Sequence, residues 1–167
     1  AARGTLAAAN YDFTFVPAKL TVGQASLTIT ADAKSRTYGA ATPALTATIT
    51  GFVNGETESA LSGTLQLSTT ATASSAVGEY PISVSGYTSS NYAITYVAST
   101  LTISKAVLTV TAEHKTKTYG AANPELTATI TGFVNGDTES ALSGTLQLST
   151  TATTSSTVGE YPILVSG

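Results

Sequence analysis

Apolar and hydroxyl-bearing residues alternate along most of this chain, and a period of two places the apolar side chains on one face of a strand. Leu27, Ile29 and Ala31 alternate with Thr28, Thr30 and Asp32, and Leu45, Ala47 and Ile49 alternate with Thr46, Thr48 and Thr50. Leu65 and Leu67 flank Gln66, and Tyr80, Ile82 and Val84 form a further set. Tyr92, Ile94 and Tyr96 follow, then Leu101 and Ile103. The pattern predicts about six short strands per unit, each with one dry face, as in antiparallel sheets. Leu27, Ile29, Ile49, Leu67, Ile82 and Val84 are the expected core, with Leu108, Val110, Ile130, Leu148, Ile163 and Val165 as their partners one period later.

The stretch FVNGETESALSG interrupts the alternation. Asn54 and Gly55 supply a turn, Glu56 and Glu58 stand where a helix start favours negative charge, and Gly63 is placed to end the helix. A single helical turn over residues 57 to 61 is expected. Strand count then favours an Ig-like sandwich, and the interposed turn a β-grasp-like sheet with one short helix; both are mostly β.

The whole pattern returns after 81 residues. Residues 25–86 and 106–167 are identical at 50 of 62 positions, and the run NYDFTFVPAKLTVGQA from Asn10 returns as NYAITYVASTLTISKA from Asn91. Tandem copies gain length by addition, which suits reach and display better than catalysis. Two phases divide the repeat. A cut at the polar GYTSSN gives modules 5–86 and 87–167, uses the whole chain and is the expected division. The apolar positions change parity between Ile103 and Leu108, and again between Val22 and Leu27, a register flip that marks a bend or change of sheet and gives the alternative phase, 25–105. That phase leaves a hairpin over residues 1–24 and a last copy without its final two strands, a gap that a neighbouring chain's strands would fill.

Composition narrows the function. Charged residues make up 10% of the chain, while serine and threonine fill 52 of 167 positions, so water is met mainly by hydroxyls. The net charge of -3 gives no basic field for a phosphate backbone, which argues against nucleic acid as a partner. There is no cysteine to form a disulfide or hold zinc, so stability must come from packing and strand pairing. No run of about 18 apolar residues is present, and any membrane anchor is expected outside this stretch.

Candidate chemistry is sparse. His114 is the single histidine, its counterpart is Ala33, and no nucleophile and acid accompany it in both copies. Asn54, Glu56 and Glu58, repeated as Asn135, Asp137 and Glu139, are the best oxygen ligands for calcium, but they fall short of a six-ligand loop. Tyr38-Gly39 and Tyr119-Gly120 read as fixed crossing loops, or as a tyrosine platform for a sugar ring. Lys34 and Lys115 lie in the polar stretches DAKSR and EHKTK, which read as solvated loops rather than isopeptide sites.

The run TYGAATPALTATITGFVNGETESALSG, followed by VGEYPISVSG, NYAITY and STLTI, resembles the MBG repeat family of the YGX type. The resemblance covers both copies and implies an extracellular, tandem, non-enzymatic module of bacterial adhesins, with no catalytic residues or cofactor to carry over. The expected role is a stalk or spacer on the bacterial cell surface that projects a distal binding domain. The alternative is a weak multivalent module for glycans or for an identical repeat on another cell. An elongated monomer, whose partners are the adjacent repeats of its own chain, is the expected form.

Overall fold

The computed structural model describes residues 4–167 and is mostly β. In the first copy the strands are β1 (Ala25–Ala31), β2 (Lys34–Thr37), β3 (Ala47–Thr50), β4 (Ser62–Thr69), β5 (Gly78–Thr88), β6 (Tyr92–Val97) and β7 (Ser99–Ser104). They form two sheets, β3-β1-β6 and β2-β7-β5-β4. Ile29 and Ala31 from the first sheet pack with Ile82, Val84 and Leu101 from the second, so the core lies between facing sheets. This is the sandwich alternative. The interposed segment is a single 3-10 turn, Glu58–Ala60, with no buried residue, and it covers neither sheet as a grasp helix would.

Two connected strand pairs organise the sandwich. β1 lies parallel to β6, and β2 lies parallel to β7, in one unbroken register. Ala25 faces Tyr92, Thr30 faces Val97, Lys34 faces Leu101 and Thr37 faces Ser104. The two chain segments therefore leave the first sheet and enter the second side by side. Buried positions change parity at this crossing, from Leu27, Ile29 and Ala31 to Arg36, and from Tyr92 to Leu101 and Ile103. β2, with the sequence KSRT, was expected as a solvated loop. It is a strand because β7 supplies its hydrogen bonds, although it carries no apolar residue to announce itself.

Every strand pair of the first copy closes within residues 25–104, and a boundary at 86/87 falls inside β5. The hairpin expected over residues 1–24 does not form: residues 1–3 lie outside the described residues, and residues 4–24 contain no strand and are exposed. Their repeat counterparts explain why. The places that residues 10–23 would take in the first sandwich are already filled by β6 and β7.

The second copy has only β8 (Thr109–Ala112), β9 (Ala128–Thr131), β10 (Gln147–Thr150) and β11 (Ile163–Ser166), with a second 3-10 turn at Glu139–Ala141. β8 pairs with β9 and β10 with β11. Strands exist where partners exist. β5 is 11 residues long because its first half pairs with β7, whereas β11 is 4 residues long with that partner strand missing. Residues 115–118, the counterpart of β2, form no strand. The accessible surface of 12123 Å² exceeds the about 7,700 Å² of a compact chain of this mass, reflecting this openness and the exposed leading segment.

The expected core is correspondingly split. Leu27, Ile29, Ile82 and Val84 are buried and Ile49 and Leu67 half-buried, but Leu108, Ile130, Leu148, Ile163 and Val165 are only half-buried and Val110 is exposed. Ile82→Ala should therefore cost about 2–5 kcal/mol. Ile163→Ala, at the equivalent but half-covered position, should lose less than half as much, in urea denaturation followed residue by residue by NMR. A loss below about 0.5 kcal/mol at Ile82 would place it outside the core.

Candidate functional site

The acidic turn is built around a tyrosine. Asn54 (φ 56°) and Gly55 (φ 72°) take left-handed backbone at the centre of a tight turn closed by the Glu56 N–H donating to the Val53 carbonyl at 3.0 Å. The Tyr92 hydroxyl donates to Glu56 Oε2 at 2.6 Å and accepts from the Val53 N–H at 3.1 Å, while its ring meets Phe52 edge-on at 5.6 Å. Tyr92 is 2% exposed. Glu58 accepts from the Tyr87 hydroxyl, and Tyr96 donates to the Tyr87 carbonyl at 2.5 Å. Both acids are thus spoken for by tyrosines, which clamp the loop between β3 and β4 onto the end of β5 and the start of β6. Asn54 serves as the left-handed residue of the turn. Among the described residues no group of three or more His, Asp or Glu side chains converges as a metal site.

The same contacts shift two tyrosines. Hydrogen bonding to Glu56 raises Tyr92 above the usual phenol value, and hydrogen bonding to Glu58 does the same for Tyr87. At the other end of β1, Asp32 accepts from Thr46 Oγ1 at 2.5 Å and Thr48 Oγ1 at 2.8 Å, and these bonds hold its carboxyl below the usual value. Glu113 repeats this with Thr127 at 2.5 Å, joined by Lys115 at 3.1 Å, and is lowered by the same two partners in that order. Lys115 therefore faces a carboxylate in an exposed pair, and His114 beside it is exposed.

Sequence reasoning missed the buried cation of β2. Arg36 donates to the carbonyl of Ala40 at 2.8 Å and to that of Thr72, tying the loop after β2 to the loop between β4 and β5. Lys117 repeats the tie with Ala121 at 3.2 Å and Thr153 at 2.6 Å. A cation at the same place in both copies of a chain with only seven Lys and Arg was the available signal.

The Tyr-Gly motif lies where the copies meet. The Tyr38 N–H donates to the Ser104 carbonyl at 2.8 Å, at the exit of β7. Gly39 (φ 80°) presses so closely on Val134 that an added Cβ would stand 2.5 Å from its side chain. Asn135 Nδ2 donates across the junction to the Ala73 carbonyl at 3.2 Å. Tyr38 is half-buried there, beside Val77, Leu108 and Phe133 around a cavity of about 200 Å³. Tyr119 is 71% exposed, and nothing lies within 4 Å of a Cβ on Gly120. The two tyrosines singled out for stacking thus sit in different environments, one in a junction and one in solvent.

A family model described as MBG domain (YGX type) matches residues 27–102 and 108–167. No curated protein and no solved structure matches the chain significantly.

Two outcomes test this geometry. Gly39→Ala and Gly120→Ala should each cost about 1–2 kcal/mol, because both glycines have left-handed φ. Only Gly39→Ala should also displace the Val134 methyl resonances; unmoved Val134 methyls in Gly39→Ala would contradict the junction. The raised Tyr92 contributes stability that is complete below the unfolded phenol value of about 10 and lost as pH rises through the higher folded value. Tyr92→Phe should lower the urea midpoint at pH 7 and shrink the fall above pH 10. An unchanged alkaline fall would remove Tyr92 from the clamp.

Proposed function

Because the chain belongs to the MBG domain (YGX type) family, we propose that it is a non-catalytic stalk or spacer of a bacterial cell-surface adhesin, holding a distal binding domain away from the cell. Its repeating unit is the stretch 25–105, the span over which the strands of the first copy close on one another. The observation that carries the reading is the junction. Gly39 of one copy fits against Val134 of the next, and both residues recur, as Gly120 and Val53, at the free ends of the pair. A joint whose two halves are present in every copy extends indefinitely by addition. The family's association with extracellular surface proteins supports the location, and a hydroxyl-rich surface of low charge suits it.

In the first copy the acids are held by tyrosines and the Tyr-Gly loop by the junction, and neither metal nor sugar binding is part of the proposed role. EDTA should leave the melting temperature unchanged, and calcium should not raise it. A glycan array probed with the chain should give no saturable signal. Binding abolished by Tyr119→Ala would overturn the spacer reading in favour of a multivalent glycan module.

A further inference from the structure

The entry and the exit of the first sandwich lie at opposite ends of one parallel ladder. Residues 25–37 and 92–104 run side by side in the same direction, with Ala25 opposite Tyr92 where both begin and Thr37 opposite Ser104 where both finish. The chain enters at the start of the first segment and leaves at the finish of the second. Tension along the chain therefore draws β1 and β2 backwards and β6 and β7 forwards. The ladder bonds lie across that direction and share the load, so none opens ahead of the others. Both ends are tied beyond the strands. At the entry the Ala25 N–H donates to the Asn91 carbonyl at 2.9 Å, and Gln24 Nε2 to the Ser90 carbonyl at 3.2 Å. At the exit the Tyr38 N–H donates to the Ser104 carbonyl at 2.8 Å, and Ser104 Oγ to the Arg36 carbonyl at 3.3 Å. Each sheet also holds one ladder strand in its interior, β1 between β3 and β6, and β7 between β2 and β5. Their inward side chains Leu27, Ile29, Leu101 and Ile103 are almost wholly buried, and a slip of one residue would turn them out of the core.

We propose that the paired segments 25–37 and 92–104 are a force-bearing lock, which keeps the unit folded when the chain is stretched between its entry and its exit. The proposal rests on the spacer reading for the direction of the load alone. Antiparallel pairing of the same segments would put entry and exit at one end of the ladder, where tension opens one bond after another. The parallel pairing separates them by the whole length of both ladders. Residues 105–108 then carry the chain from β7 to β8, so the next copy receives the load at the counterpart of β1. The edge strands β3 and β4 lie outside the loaded ladder, β3 attached to β1 and β4 to β5. Breaking under force follows the barrier to unfolding rather than the equilibrium stability. Weakening the ladder should therefore lower the breaking force, whereas loosening an edge strand should lower the stability alone.

The test stretches the full chain in an optical trap between two introduced cysteines; the chain has none of its own, so the handles attach at those two points only. Gly23→Cys with Lys105→Cys loads the first sandwich from entry to exit. Gly23→Cys with Ser90→Cys pulls on both segments at the entry and peels β1 from β6, starting at Ala25. At one loading rate the first arrangement should break at several times the force of the second, and equal forces would overturn the lock. Two substitutions are then compared with the handles at residues 23 and 105. Thr95 is exposed, and in the alternation that begins with the bond from Ala25 to Asn91 its N–H falls on the side of β1, so Thr95→Pro removes a ladder bond. It should lower the breaking force by about half. Leu67→Ala, in β4, should lower the urea midpoint and leave the breaking force unchanged. A breaking force unmoved by Thr95→Pro, or one that falls with the urea midpoint in Leu67→Ala, would also overturn the lock. Equal forces leave the spacer reading standing, whereas glycan binding lost in Tyr119→Ala removes that reading without changing these forces.

Discussion

The parallel register shared by β1–β2 and β6–β7 is the constraint from which the rest of the sandwich follows. Because both segments cross from one sheet to the other together, each sheet receives one strand from each segment, and the sheets are held face to face by continuous chain. The remaining strands are attached to this frame: β3 to β1, and β5 with β4 to β7. Parallel pairing between segments this far apart in sequence carries a loop-closure cost before it returns any contact. The cost is met at the crossing, where the inward residues Ala31, Leu101 and Ile103 close the core from both sides.

The second copy shows what that frame contributes, since residues 106–167 repeat residues 25–86 at most positions and stop short of the counterparts of β6 and β7. β8 and β11 shorten, the counterpart of β2 loses its ladder, and residues that are core in one copy become half-wet in the other. Local propensity is nearly the same in both. The difference is the partner strand, as expected when strand stability comes from cross-strand packing rather than backbone preference. The tyrosine clamp depends on the same segment: Tyr92 belongs to β6, and without such a strand Asp137 has the loop but no tyrosine from a following strand to hold it.

Much of this was legible as alternation. β1, β3, β4, β5, β6 and β7 each carry an apolar face at every second residue, and the 3-10 turn was marked by its acids and glycines. β2 was not legible, because Lys-Ser-Arg-Thr has no apolar face and its one inward residue is a cation satisfied by carbonyls. The acids of the turn were visible as a cluster, but their partners come from strands more than 25 residues away, which no local spacing encodes. The Tyr-Gly motif was visible as a special loop; that Gly39 needs its missing side chain to admit Val134 is a property of two copies in contact. The parity change near residue 105 marked the edge of the unit, while the parity change at the crossing was hidden inside what read as separate strands.

Amide hydrogen exchange tests the central role of the paired segments most directly, because it reports strand by strand on two copies of almost the same sequence. If the crossing pair holds the sandwich, the slowest amides lie in β1, β6 and β7. The amides of β8 should exchange orders of magnitude faster than their counterparts in β1. Equal protection of β1 and β8 would contradict the dependence of this fold on its paired crossing strands.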